Sequence, residues 1–588
     1  MAGWGRFRTL VREDETHFLE LGKHFFHQFF ENELVSRGSE ARLTVVHVLA
    51  VLAAPPIIYT FYLVYYYSDV CWNFPWQYPA VSLIDHCRYV TLSMIVIGFV
   101  AVLEWDALFL NRRDFAVLTP LPVKATTIFT AKIAALLAFL ALFIVDVAGI
   151  PTVLYPPVET SGIRGAHVTL LHLCSMMAAH AVAVFSGSAF IFLFFVAVQG
   201  LLINLLRPHA FRIASLCFQL SAIVALLMAL LLLPMTSTLV PAWEQAHGGG
   251  WFFWYPPLWF LGVYQTLSGS DGAVFHALAR TAVAALGLVA LACGAGYIVN
   301  YKRHTQRALE AVETHAAHRS WVAGLARWML THLVLRKPLE RATYFFVTNT
   351  FMRSSKHRLY LAAYVGAGSA LAAFGILQVL VNREDPSVRP ILFQPNTALL
   401  AIPLILSFFL LSGMRIVFTI PAELRANWIF QLAEDESWLD CCTGARKAMI
   451  LSAVLLLILL FPLYAVLWGW LVAFEHFIFG LMLSLILVEL LLINFRKVPF
   501  TCSYQPGKAY ITVLGVFYWF AFTTYACTMA TLERWLLQEV LPWIAVIAIL
   551  LLALAGLTLC RKTSPVEGRG LIYEDEPNPD VQTLGLSD

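Results

Sequence analysis

Charge is what this sequence has least of. Only 13% of its 588 residues are Asp, Glu, Lys or Arg, against roughly a quarter in soluble domains. That shortage excludes a globule covered on all sides by water.

Cysteine is also thin, at ten residues scattered mostly inside apolar runs. The adjacent Cys441 and Cys442 lack metal-ligand spacing and read as two small apolar fillers. Cys71 and Cys87 alone share a loop, and they form a candidate disulfide if that loop faces an oxidising compartment.

Two motifs are missing as well. The N-terminal "MAGWGRFRTLVREDETHFLELGKHFF" mixes basic and acidic residues and has no continuous apolar core, so no cleavable secretory signal is expected. No G-x-x-x-x-G-K-[ST] phosphate loop occurs. "CTGARKAM" has Gly and Lys but neither the spacing nor the Ser or Thr. The chain is therefore expected not to be an enzyme, and no catalytic, cofactor, metal or nucleic-acid site is expected in it.

What is abundant is apolar sequence, 60% of all residues. Runs of about 20 apolar residues, long enough to cross a ~30 Å hydrocarbon core, recur along the chain. The expected fold class is all-α: a polytopic integral membrane protein of about twelve transmembrane helices in two six-helix halves. Spans are expected near 43–66, 89–110, 130–150, 168–203, 213–234, 277–300, 359–381, 397–420, 448–472, 477–495, 509–532 and 540–560.

Lys and Arg sort almost entirely to alternate loops. Only Arg88, Arg164, Arg280, Arg383, Arg389 and Arg534 fall on one side or at its edge. The positive-inside rule then places both termini in the cytoplasm of a multi-pass plasma-membrane (bacterial inner-membrane) protein. The expected layout is a cytoplasmic segment with an interfacial helix (1–42), a first six-span half (43–301), a basic linker with a second amphipathic segment (302–358), a second half (359–562) and a disordered tail (563–588). In the first segment Phe18, Leu21, Phe25 and Phe29 fall on one helical face, as suits the bilayer interface. "RATYFFVTNTFMRSSKHR" takes the same place in the second half.

The loop "EWDALFLNRRDFAVLTPLPVKATTIFTAKI" at 104–133 concentrates charge and turn chemistry. Pro120 and Pro122 break any continuous helix through "TPLPV", and "KATTIFTAKI" restarts one into the third span. This order resembles the membrane subunit of type-2 ATP-binding-cassette (ABC) exporters, through Glu104, Arg112, Arg113, Asp114, Leu118, Pro120, Leu121, Pro122, Val123 and Lys132. The resemblance is closest over 104–133 and extends elsewhere through span order.

It implies a permease in which that loop is a docking elbow for separate cytoplasmic ATPase subunits, which carry ATP and Mg. Arg112, Arg113, Asp114 and Lys124 would make polar contacts, and Leu118, Leu121 and Val123 would pack into a groove. The second charged loop lacks "TPLP" and offers Glu423, Arg425 and Trp428 instead. A positive-inside loop with proline turns accounts for the same residues without a partner, and both readings stand. The resemblance also implies a short re-entrant element before the sixth span, where "HGGGWFFWYPPLWF" lies. An interfacial anchor is the alternative there.

Ionisable residues within spans are costly and are candidates for function. Asp146 is expected to reach an interface. His172 and His180 lie on one face about two turns apart, and Glu489 is placed for a buried pair or a proton site. The outside loops offer Asp69, Asp85, His86, Glu159, Glu244 and His247, with no pair evident among them. An ion-coupled secondary transporter, a membrane enzyme and a structural subunit of a larger complex therefore remain beside the permease reading. Lipid or another amphipath is the expected cargo.

Overall fold

The computed structural model describes residues 17–29, 39–71, 73–109, 117–118, 120, 123–161, 169–237, 240, 254–270, 272–307, 328, 330–381, 394–422, 438–493, 495, 498–501 and 518–563. Among these residues every regular element is helical. Eleven helices are long and apolar enough to cross a bilayer, so the chain is a multi-pass, all-α membrane protein. It divides into two compact units, Met1–Thr314 and His315–Asp588.

The first unit begins with α1 (17–29) and α2 (Ser39–Tyr65), which continues into a π-helical turn, Tyr66–Cys71. There follow α3 (Tyr78–Leu103), α4 (Ala125–Ser161), α5 (Leu170–Leu205), α6 (Pro208–Leu231), the short α7 (Pro256–Leu267) and α8 (Ala273–Arg307). Prolines open α3, α6 and α7 in the first turn, where a missing N–H costs nothing. Thr169 caps α5 by accepting the His172 N–H. The third long helix outruns the expected 130–150 at both ends. Pro151, Pro156 and Pro157 lie inside α4 without ending it, because protein packed around it can re-satisfy the freed carbonyls.

Small residues set the packing distances. Gly200 of α5 and Gly296 of α8 meet backbone to backbone, and Gly262 of α7 abuts Leu278 and the α8 backbone. Of the stretch 247–260 expected to hold a re-entrant element, 247–253 lies outside the described residues, and its remainder leads into α7, packed against α8 by its Leu258 and Leu261 side.

The second unit comprises α9 (Pro338–Arg353), α10 (Ser355–Val381), α11 (Thr397–Val417), α12 (Trp438–Trp468), α13 (Trp470–Leu492), a helical stretch from 518 through the π turn Thr524–Thr528 into the short α14 (Met529–Leu536), and α15 (Val540–Thr563). Gly469, at φ +85°, makes the one-residue turn between α12 and α13. The span expected at 509–532 lies partly outside the described residues. Its described part is not one of the eleven long apolar helices.

Candidate functional site

Both ends of the 104–133 loop are clamped. At its start Trp105 and Leu108 are buried. Trp105 Nε1 donates to Ser215 of α6 at 2.8 Å, and Gln199 of α5 donates to the Trp105 carbonyl at 2.7 Å. The Tyr297 hydroxyl of α8 donates to the Leu108 carbonyl. At its far end Lys132, 1% exposed, lies under α1 with its Nζ 4.7 Å from the Phe29 ring centre and 5.1 Å from that of Phe25. A cation in an apolar wall needs such partners, and the rings together with Gln28 Oε1 at 3.4 Å provide them.

The second unit repeats this placement with different chemistry. Lys447, near the start of α12, pairs with the Glu340 carboxylate on α9 and donates to the Val334 carbonyl at 2.7 Å. Gly444 lets the α9 backbone approach one turn away. Beyond it, Phe500 takes a left-handed backbone, φ 66°. It exchanges hydrogen bonds with the chain after α11: its N–H to the Phe418 carbonyl, and the Ala422 N–H to its own carbonyl. Phe500 therefore pins the start of the second charged loop.

The opposite end of the first unit holds a buried polar network that sequence reading missed. Asp85 and His86 sit about two turns into α3, Glu159 at the end of α4 and His180 nearly three turns into α5. Asp85 accepts from Tyr59 at 2.5 Å, Tyr67 at 3.1 Å and Arg88 at 3.3 Å. Arg88 also donates to Thr236 at 2.8 Å. His86 Nε2 lies 3.1 Å from Glu159 Oε2, and its Nδ1 lies 3.0 Å from Nδ1 of His180. Ser82 donates to the other Glu159 oxygen.

Tyr264 of α7 stacks on His86 with ring centres 3.5 Å apart. Burial, with the Glu159 charge adding to it, raises the Tyr264 phenol above its ordinary range. The expectation that no acidic–His pair exists among the outside-loop residues is thus corrected: α3 and α4 bring His86 and Glu159 together and α5 adds His180, a relation that no local spacing records.

The second unit has a smaller relative of this network. His476, near the start of α13, lies 2.6 Å through Nδ1 from Glu533 of α14. Its ring stands edge-on to Tyr464 of α12 at 4.7 Å. His180 likewise has a tyrosine from the preceding long helix, Tyr155 of α4 at 5.4 Å, but its neighbour from the short helix is Tyr264 of α7 at 6.4 Å rather than a carboxylate. Burial raises the Glu533 carboxyl above the usual range, and His476 opposes that rise.

Of the residues singled out by sequence, Leu118 is half-buried, and Pro120 and Lys124 are exposed. Arg112, Arg113, Asp114, Leu121, Pro122, Glu423, Arg425 and Trp428 lie outside the described residues. Asp146 is half-buried mid-way along α4. His172 is exposed and His180 buried, so the two do not act together. Glu489 is buried in an ion pair with Arg446 of α12.

Cys87 is a free thiol packed among Leu83, Leu258 and Leu261. The expected Cys71–Cys87 disulfide is therefore not formed, because α3 turns Cys87 into the apolar core. Among the described residues no group of three or more His, Cys, Asp or Glu side chains is spaced to hold a metal ion. No family model, no curated protein and no solved structure matches this chain.

Proposed function

We propose that the chain is the membrane permease of an ATP-binding-cassette exporter, moving a lipid-like or other amphipathic substrate with energy from separate ATPase subunits. Its two units are read as two six-span halves fused in one chain. The supporting observation is the repeated lysine: Lys132 under α1 and Lys447 under α9, each early in the third long helix of its unit. An elbow clamped at Trp105 and Leu108 on one side and Lys132 on the other passes a push from a soluble partner into α4 rather than absorbing it. A short helix ahead of the last helix of each unit, α7 or α14, fits the same layout.

The test is a gentle-detergent pull-down of the tagged chain, with mass spectrometry of what co-purifies. A stoichiometric protein bearing a phosphate loop is expected. A chain that purifies alone and monodisperse overturns the reading.

A second reading, an ion-coupled secondary transporter, is favoured by the buried Asp85–Arg88 and His86–Glu159–His180 groups, since ionisable chains within a membrane are used as proton relays. It predicts substrate uptake into proteoliposomes driven by a pH gradient without any ATPase.

A further inference from the structure

At the Trp468–Trp470 end of the second unit a cleft lies between α12 and α13. It is a narrow cleft open to the surface, and its walls include Leu460, Phe461, Phe477 and Tyr464, with His476 among its lining. His476 is only 4% exposed, yet its Nε2 has no hydrogen-bond partner. Glu533 Oε2, behind it, also has none. A buried polar atom is ordinarily satisfied by protein or by something bound.

The surroundings narrow what could bond there. Leu459, Leu463, Leu471 and Phe474, on the same two helices, are more than half exposed, so apolar chains can lie beside the cleft. His476 and Glu533 share a proton across 2.6 Å. With Glu533 ionised and Nδ1 protonated, Nε2 offers a lone pair; with a further proton on the pair, it offers an N–H. Burial favours the further proton, since it raises the Glu533 carboxyl. The pair is then neutral, and no Asp, Glu, Lys or Arg side chain lines the cleft. An anionic or cationic headgroup would enter without a counter-charge. A hydroxyl, donor and acceptor at once, suits either state of Nε2.

We propose that this cleft is a binding subsite for a neutral, hydroxyl-headed amphipath, with the hydroxyl on His476 Nε2 and the apolar chain along α12 and α13. This rests on the transport reading and names its substrate class.

The experiment uses the full-length chain in phosphatidylcholine nanodiscs with no ATPase present. Three photoactivatable probes of equal chain length are compared: a diacylglycerol, the same probe acetylated on its hydroxyl, and the matching phosphatidic acid. The diacylglycerol is expected to label α12–α13 peptides about tenfold more than either control, one lost buried hydrogen bond being of that size. This comparison needs no variant.

Leu460→Trp, which narrows the cleft and leaves the His476–Glu533 pair intact, is expected to remove that excess, as is His476→Phe. Equal labelling by the acetylated probe, preference for phosphatidic acid, or labelling unchanged in Leu460→Trp overturns the proposal. Because no partner is present, a failed pull-down leaves this result untouched. Absent selectivity likewise leaves the pull-down intact, so the two failures are distinguishable.

Discussion

Nδ1 of His86 and Nδ1 of His180 face each other at 3.0 Å. Two ring nitrogens so close share one proton between them. Glu159 accepts from His86 Nε2, which leaves His86 Nδ1 as the acceptor and His180 Nδ1–H as the donor. Ser82 and His86 thus both donate to Glu159 and His180 donates to His86, a chain across three helices whose donors converge on the carboxylate.

Replacing His86 by Phe removes the middle of that chain and strands a buried carboxylate and a buried imidazole. A loss of about 3 kcal/mol or more is expected, read as a fall in thermal midpoint in detergent. Ser82→Ala, which leaves Glu159 its His86 partner, should cost only about 1 kcal/mol. Equal effects of the two variants would refute the chain.

The two lysines should respond unequally to removal of charge. Lys132→Met loses a cation–ring contact worth about 0.5–2 kcal/mol and gains apolar fit. Lys447→Met leaves the buried Glu340 without its partner and should cost more, about 3 kcal/mol. Adding Glu340→Gln to Lys447→Met should restore most of the loss, and a double-mutant cycle by thermal unfolding checks it.

Two glycines mark contacts with no room for a methyl group. A Cβ at Gly262 would lie 2.5 Å from the Leu278 Cβ, and one at Gly444 would lie 2.6 Å from the Glu340 carbonyl oxygen. Gly262→Ala should therefore push α7 off α8, and Gly444→Ala should push α9 off α12, each costing about 1–3 kcal/mol. Gly287→Ala, which meets nothing within 4 Å, is the control and should be neutral or slightly stabilising.

Glu533 gives the second unit a pH dependence of defined sign. Burial raises its carboxyl above the ordinary 4.5, so the folded chain holds that proton more tightly than the unfolded one. Its stabilising contribution is complete below 4.5 and is lost as pH rises through the raised value. Thermal midpoints of the native chain should therefore fall over that rise relative to Glu533→Gln. Parallel pH profiles of the two proteins would contradict the assignment.

The elbow can be tested apart from stability. Lys124 is exposed, so charge reversal there, together with Arg112→Glu and Arg113→Glu, should abolish partner co-purification while changing stability, read by thermal unfolding, by less than about 0.5 kcal/mol. Retained co-purification would remove the elbow from the docking surface.

Membrane spanning was legible from residues alone, because a ~30 Å apolar slab demands local runs of about 20 apolar residues. The amphipathic helix at 17–29 was legible for the same kind of reason, as periodicity is a property of neighbours in sequence. The 104–133 loop declared its prolines, but not that Tyr297 and Gln199, some 90 to 190 residues distant, would hold its start.

Helix packing assembled Asp85, His86, Glu159 and His180 from α3, α4 and α5, residues that look unrelated along the chain. It likewise turned Cys87 away from a disulfide and paired Glu489 with Arg446. A buried charge must find its partner wherever the helices cross, and crossing geometry is set by small residues such as Gly200 and Gly296 acting at long range. That geometry, not local pattern, assigned the polar groups their partners and left His476 Nε2 without one.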